Sequence, residues 1–364
     1  MFLSVRSYNF RNLINNRLST DAKNIYLIGE NGQGKSNFLE MIYLLCFGGS
    51  FRTHQDELLV TQGQDDMMVE GTFLDKNGQQ NTVSCKLEKE AERKEIRQNG
   101  KIVADRKDLI ENIPCIVFKH EDIYFVNGTP ERRRLFFNQV MGIYDIPFLE
   151  KLREYTKVLR MRNAVLKERK LDFLPVLDRQ LAVAGLALMA RRAAVTQEFS
   201  PLFSDVFKEV SESDMTIQLR YQPSWGEADS PEAVITLLTE KQDRDLETGM
   251  TNWGPHRDRF CFYMSNKDFS KIASTGQSRL ITLAMRNAQA VFYTSKTGRH
   301  PIFLIDDVLL ELDRGKRERF IATLPEYDQA FFTYLPGEEL YTGRGSEMVY
   351  TVEGGALNEH PVSR

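Results

Sequence analysis

The sequence predicts an α/β fold: one head domain built from both ends of the chain, with a mainly helical lobe inserted in its middle. Three observations carry that prediction. Strand-like segments bracket a long helical stretch. A glycine-rich loop near the N-terminus sits between a short apolar strand and a helix. An apolar strand ending in two aspartates lies near the other end of the 364-residue chain.

Taken in order, Phe2–Tyr8, Asn24–Ile28, Met67–Leu74, Asn81–Leu87 and Ile116–Phe118 have strand character, and Asp75-Lys76-Asn77-Gly78 supplies turn chemistry. From about residue 130 to 245 the texture changes. Arginine, lysine, leucine and alanine dominate, glycine is scarce, and helical periodicity takes over. After about 250 strand-and-loop texture returns, with Pro301 to Ile305 as an apolar strand. The expected division is therefore 1–118 and 250–364 for the head and 119–249 for the insert. The last dozen residues, with Gly354-Gly355, are expected to be a frayed tail.

Residues 29–36 read Gly29-Glu30-Asn31-Gly32-Gln33-Gly34-Lys35-Ser36, a full G-x-x-x-x-G-K-[ST] phosphate loop. Glycines let such a loop turn its backbone N–H groups inward around phosphate oxygens. Lys35 is then placed to reach the β- and γ-phosphates and the Ser36 hydroxyl to ligate Mg²⁺. Asn24–Ile28 before it and the helix from Ser36 to Phe47 after it are the required setting, and the helix N-terminus attracts anions. The implied ligand is ATP with Mg²⁺. Ile302-Phe303-Leu304-Ile305-Asp306-Asp307 supplies the second acidic site. Asp306 is expected to hold the Mg²⁺ through water, and Asp307 to act catalytically by orienting the attacking water.

Composition narrows the partners. Charged residues make up 27% and hydrophobic ones 41%, as in ordinary globular proteins, and the formal net charge is −3. Any nucleic-acid site must therefore be a local patch. Residues 119–200 hold fifteen Lys/Arg against ten Asp/Glu, with Arg132-Arg133-Arg134 followed by a basic run from Lys151 to Lys170. Two readings stay open here, a phosphate-backbone track or a solvated helix face. Cys46, Cys85, Cys115 and Cys261 lack metal-ligand spacing and read as reduced, buried thiols of a cytoplasmic protein. The N-terminus lacks a signal-peptide pattern, and the apolar run Leu181 to Ala190 is too short for a bilayer, so no membrane partner is expected.

The third element is Ser274-Thr275-Gly276-Gln277, just before a helical stretch from Ser278 to Tyr293. Its place, far downstream of the phosphate loop and about thirty residues before the aspartates, is that of the S-x-G-Q signature in ATP-binding-cassette (ABC) heads. That signature caps a γ-phosphate bound by the opposite subunit; Ser274, Gly276 and Gln277 are the expected trans contacts.

With these pieces the chain resembles the RecF family, bacterial recombination mediators and DNA-repair ATPases related to SMC heads. The resemblance runs through Tyr8-Asn9-Phe10-Arg11-Asn12, the phosphate loop with Asn37, Ser50-Phe51-Arg52, Glu121-Asp122, Gly128 to Arg134, Leu159 to Ala164, Gly254-Pro255-His256-Arg257-Asp258, Ala273 to Arg279, and Asp306 to Asp313. Ser36 stands where threonine is usual, Thr275 where glutamine is common, and Asn138 where the family tends to have aspartate. About 240 residues separate Lys35 from Ser274. That is too many for a transporter head and too few for an SMC coiled coil, and no sustained heptad appears.

The resemblance implies an ABC-type P-loop ATPase head with an inserted helical lobe that serves DNA and dimer contacts. It implies an ATP-dependent DNA-binding protein of recombinational repair, an ATP-gated dimeric clamp that assists recombinase loading at single-stranded gaps. RecR and RecO are the implied partners, with a part in replication and the SOS response. Lys157, Arg160 and Arg162 are the expected DNA contacts. The shorter Asp307, where a glutamate is common, implies weak ATPase activity suited to a timer. The alternative is an ABC-type subunit that energises transport or acts as a scaffold without DNA; a P-loop kinase would leave the Ser274 segment unexplained. Arg52 has two readings, a nucleotide or DNA contact or a surface ion pair. Asp313 likewise reads as a contact across a dimer or as a helix cap.

Overall fold

The structure, a computed structural model, describes residues 1–310 and 312–360. Glu311, part of the acidic-strand resemblance, lies outside them. The chain divides into two compact units: Met1–Glu121 with Gln289–Arg364, and Asp122–Ala288. The return to the first unit falls inside a helix, later than the expected residue 250. Residues 250–288 carry strands and half a helix that pack within the second unit, so strand texture did not mark the boundary.

In chain order the first segment carries β1 (Phe2–Tyr8), β2 (Asn16–Ser19), β3 (Asn24–Ile28), α1 (Lys35–Phe47), β4 (Asp66–Leu74), β5 (Gln80–Glu88), β6 (Arg93–Gln98), β7 (Lys101–Ile102), α2 (Lys107–Asn112) and β8 (Cys115–Lys119). The middle carries α3 (Tyr124–Asn127), α4 (Pro130–Gly142), α5 (Ile146–Glu168), α6 (Leu174–Ser211), β9 (Ile217–Gln222), α7 (Pro231–Glu240), α8 (Gln242–Thr248), β10 (Arg259–Met264), β11 (Lys267–Asp268) and α9 (Thr275–Thr297). The last segment carries β12 (Ile302–Asp306), α10 (Arg314–Ala322), β13 (Gln329–Tyr334), β14 (Glu347–Glu353) and β15 (Ala356–His360).

The first unit holds two six-stranded sheets, one ordered β2-β1-β4-β5-β6-β7 and antiparallel, the other ordered β15-β14-β3-β13-β12-β8. In the second sheet β14, β3, β13, β12 and β8 run parallel and β15 closes the edge antiparallel. Helix α1 contacts β4 and β5 of the first sheet and β12 and β13 of the second. That explains its composition: Phe38, Leu39, Met41, Ile42, Leu44 and Leu45 cover more than one face, and all are buried. Gly48, left-handed at φ 64°, ends the helix and donates its N–H to Leu44 O. Parallel strands bury both faces, and β12 reads accordingly as an unbroken apolar run before Asp306.

The second unit is mainly helical, around the small sheet β11-β10-β9. Its core is aromatic. Phe136 and Phe137 of α4 and Phe199 and Phe203 of α6 meet Phe260 and Phe262 of β10, with Phe137 stacked on Phe260 at 4.1 Å. The apolar run from Leu181 lies in the 38-residue α6. The segment Leu171–Ser211 is long and apolar enough to cross a membrane by length and composition, but half of its apolar window is buried inside the protein. Gly185 of α6 is required for packing, since a Cβ there would stand 2.3 Å from the Trp225 ring. All four cysteines are free and buried.

Candidate nucleotide site and signature segment

The phosphate loop joins β3 to α1 at the carboxyl end of the parallel sheet, where ligands of open α/β sheets bind. Gly32 at φ 80° and Gly34 at φ 120° adopt conformations that a side chain disfavours. Gly29 is required by closeness, because a Cβ there would meet Val352 O of β14 at 2.4 Å. Lys35 is buried, and its Nζ donates to Gly29 O at 2.7 Å and Glu30 O at 3.1 Å. The ammonium is thus already held in the mouth of the loop. The Ser36 hydroxyl donates to Asp306 Oδ1 at 2.7 Å, bringing together two groups that lie 270 residues apart in sequence.

Asp306 is pushed up to about 6, chiefly by burial and further by the neighbouring Asp307; the Ser36 hydrogen bond and Arg52 oppose the rise. Asp307 is left-handed at φ 51°, an uncommon state for a non-glycine residue. The Thr333 hydroxyl donates to Asp307 Oδ1 at 2.8 Å and accepts the Asp307 N–H at 2.8 Å. Thr333 therefore fixes the aspartate, and no sequence signal marked it.

Residues outside the loop hold it in place. Asn12 Nδ2 donates to Gly32 O at 3.4 Å, and Asn12 Oδ1 accepts from Asn37 Nδ2 at 2.7 Å. The expected frayed tail is instead ordered through His360. Strand β15 pairs with β14, and the turn between them grips the phosphate loop. Gly355 N donates to Gln33 O at 2.9 Å, and Gly354 N donates to Gln33 Oε1 at 2.6 Å. A Gly-Gly pair is a turn signal as well as a tail signal, and the turn reading applies. Gly355 has φ 84°, and a Cβ there would lie 1.8 Å from Asn12 O. Gly355→Ala is expected to displace this turn and weaken ATP affinity about tenfold, roughly 1.4 kcal/mol, with the fold retained. Calorimetric titration with ATP checks it; unchanged affinity removes the turn from the site.

Arg52 makes an ion pair. It bonds Asn37 Oδ1 at 2.6 Å and lies 3.5 Å from Glu40, whose fully buried carboxylate takes Arg11 in a fork at 2.8 and 2.9 Å. Asp313 caps α10, accepting from Lys316 N at 3.0 Å.

Within the second unit, Ser274 and Gln277 form a reciprocal cap on α9. Ser274 N donates to Gln277 Oε1 at 2.9 Å, and Gln277 N donates to Ser274 Oγ at 3.2 Å. The helix begins at Thr275, three residues before the expected start. Ser274 and Gly276 are exposed, and a Cβ on Gly276 would meet nothing within 4 Å. A first-turn glycine with open space around it costs about 1 kcal/mol of helix stability relative to alanine and gains nothing in packing.

Lys157 and Arg160 are exposed on α5. Arg162 is not a surface residue. It sits on the buried stripe Phe148, Tyr155, Val158, Arg162, Leu166, bonded to Asp178 at 2.6 Å, Asp245 at 2.6 Å and Thr251 at 2.9 Å. Charge counted along a run ignores helical phase, and phase places this arginine inward. The Gly254–Asp258 turn is a structural hub. Asp258, fully buried, pairs with Arg192 at 2.8 Å rather than with its neighbour Arg257, and it also accepts from Tyr221 and Ser224. His256 bonds Tyr155 at 2.7 Å and Thr251 O at 2.8 Å, and burial pushes it down to about 4. Its folded pKa lies below the unfolded value of about 6.5, so the unfolded chain binds the proton first and stability falls as pH drops through that window. Between pH 7 and pH 5 the second unit is expected to lose on the order of 2 kcal/mol from this residue. Melting of wild type against His256→Gln across that range checks it; parallel pH profiles contradict it.

Known proteins resemble this chain in sequence and in fold. The family model described as RecF/RecN/SMC N terminal domain matches residues 2–352. The DNA replication and repair protein RecF of Treponema pallidum is 39% identical over 358 residues, covering 96% of this chain and 99% of that protein. A solved structure of the recombination mediator protein RecF with ATP, of the RecFOR pathway, superposes with a TM-score of 0.90 at 25% identity, covering 99% of this chain and 97% of that one. An SMC head bound to the C-winged helix domain of ScpA superposes at 0.59 with 15% identity, covering 100% and 97%, and shares the fold.

Proposed function

The chain belongs to the RecF/RecN/SMC N-terminal-domain family, and within it to the RecF proteins; from that premise we propose an ATP-dependent DNA-binding protein of recombinational repair that closes as a dimer on ATP. The fold is an ABC-type ATPase head carrying an inserted lobe. The observation that carries the reading is a complete phosphate loop in a chain whose Ser274 and Gly276 stay exposed at the capped start of α9, with open space around Gly276. A transport or scaffold role is not favoured.

In this reading the loop N–H groups and Lys35 take the phosphates of ATP. The Ser36 hydroxyl and Asp306 carboxylate form a hard oxygen pair of the kind Mg²⁺ prefers. Among the described residues no group of three or more His, Cys, Asp or Glu could hold a metal by itself. That fits an ion shared with substrate phosphates, and Mg²⁺ when bound supplies charge neutralisation there. Asp307, held by Thr333, orients the attacking water and accepts its proton. Ser274 and the Gly276 N–H of a second copy complete the γ-phosphate site, with Gln277 fixing the cap. ATP then favours the dimer because its γ-phosphate has partners there that the monomer lacks. Hydrolysis removes that bridge and releases DNA, and the shorter Asp307, where a glutamate is common, keeps turnover slow. Lys157 and Arg160 contribute to DNA contact, RecR and RecO are partners by family, and the setting is cytoplasmic.

Filter retention of gapped DNA with and without ATP tests the reading. Retention that rises with ATP supports it. Retention that ignores ATP overturns it.

A further inference from the structure

The second unit contains a cavity of about 800 Å³ that the nucleotide chemistry does not use. Arg134 of α4, Arg244 of α8, Arg257 of the Gly254–Asp258 turn and Arg259 of β10 line it, with Trp253, against one acidic side chain, Glu131. Arg244, Arg257 and Arg259 are exposed and make no side-chain hydrogen bond or ion pair among the described residues. Arg134 is half-buried, bonded to Asp258 O at 2.8 Å. Burial, and then the charge of Arg192, push it below its ordinary value, so an added anion is favourable there. Lys241 lies 5.7 Å over the Trp253 ring, and the buried indole N–H of Trp253 has no partner among the described residues.

The geometry points to a binding site for single-stranded nucleic acid, with phosphates on these arginines and a base on Trp253. This rests on the DNA-binding reading above. The arginines come from four separate elements around an open cavity, and no glycine-rich loop cradles a terminal phosphate there. Side-chain cations along a groove beside an aromatic platform are the means by which a strand is held, whereas a nucleoside triphosphate needs a backbone cradle.

The test uses the full chain, tryptophan fluorescence and a dT oligonucleotide of about 15 nucleotides. Wild type should be quenched, Trp253→Phe should lose the quench, and Arg244→Glu/Arg259→Glu should bind at least tenfold more weakly. The salt slope of that double variant should be shallower by about 1.4, 0.7 for each lost phosphate contact. An Arg244→Gln/Arg259→Gln chain, which adds no repulsion, should fall between the two, and an Arg244→Lys/Arg259→Lys chain should recover most of the affinity. Equal quenching by ATP or by poly-glutamate overturns the proposal. So does unchanged affinity in the double variants. A wild type that retains DNA on filters while Trp253 stays silent overturns the cavity alone; a wild type that retains no DNA overturns the DNA-binding reading as well.

Discussion

Lys35→Met is expected to lower ATP affinity by at least a hundredfold, about 2.7 kcal/mol. Lys35 is 3% exposed, so its stem is packed and its ammonium sits in a dry setting among the carbonyls of Gly29 and Glu30. Methionine keeps the apolar stem and removes the charge. The loss is large because one charge-assisted contact to phosphate contributes roughly 1.5–3 kcal/mol and because the replacement leaves the loop carbonyls facing anionic oxygens. The fold should survive, since the helix beyond Lys35 is anchored by the apolar contacts of α1 with both sheets. Calorimetric titration with ATP at matched protein stability reads the effect. A loss of less than tenfold would mean that the loop is a turn and not a phosphate site.

Ser274→Arg separates binding from association. The monomer should keep its ATP affinity, because Lys35, Ser36 and Asp306 are untouched. The ATP-dependent dimer should weaken by at least a hundredfold, because a long side chain occupies the space that a phosphate and a partner head require. Losing the Ser274–Gln277 cap costs about 1 kcal/mol of helix stability, so Ser274→Ala is the control. It loses the cap without the bulk and should weaken the dimer less. A Ser274→Arg chain that dimerises like wild type removes Ser274 and Gly276 from any trans site.

How much of this was legible in the sequence depends on whether a contact is local. The strand–loop–helix setting of residues 24–47 was legible because the loop's glycines, lysine and serine are adjacent in the chain and follow a fixed order. Strand β12 was legible because a parallel strand buried on both faces leaves an unbroken apolar run. The serine cap of α9 was visible as a motif. Thr333 was not, because a lone threonine in an apolar strand carries no mark of the carboxylate beside it. Gly354 and Gly355 were visible but misread, since a turn and a tail share composition and only the pairing of β14 with β15 distinguishes them. Arg162 was misplaced because charge was summed along α5 without regard to helical phase. The boundary at Ala288 was missed because β9 and β10 give the second unit a sheet of its own.

Sedimentation velocity of the wild-type chain should show a monomer without nucleotide and a dimer with saturating ATP, with the dimer absent in Lys35→Met. A wild type that stays monomeric in saturating ATP, or that is equally dimeric without it, contradicts the claim that the phosphate loop is half of a site completed by a second copy.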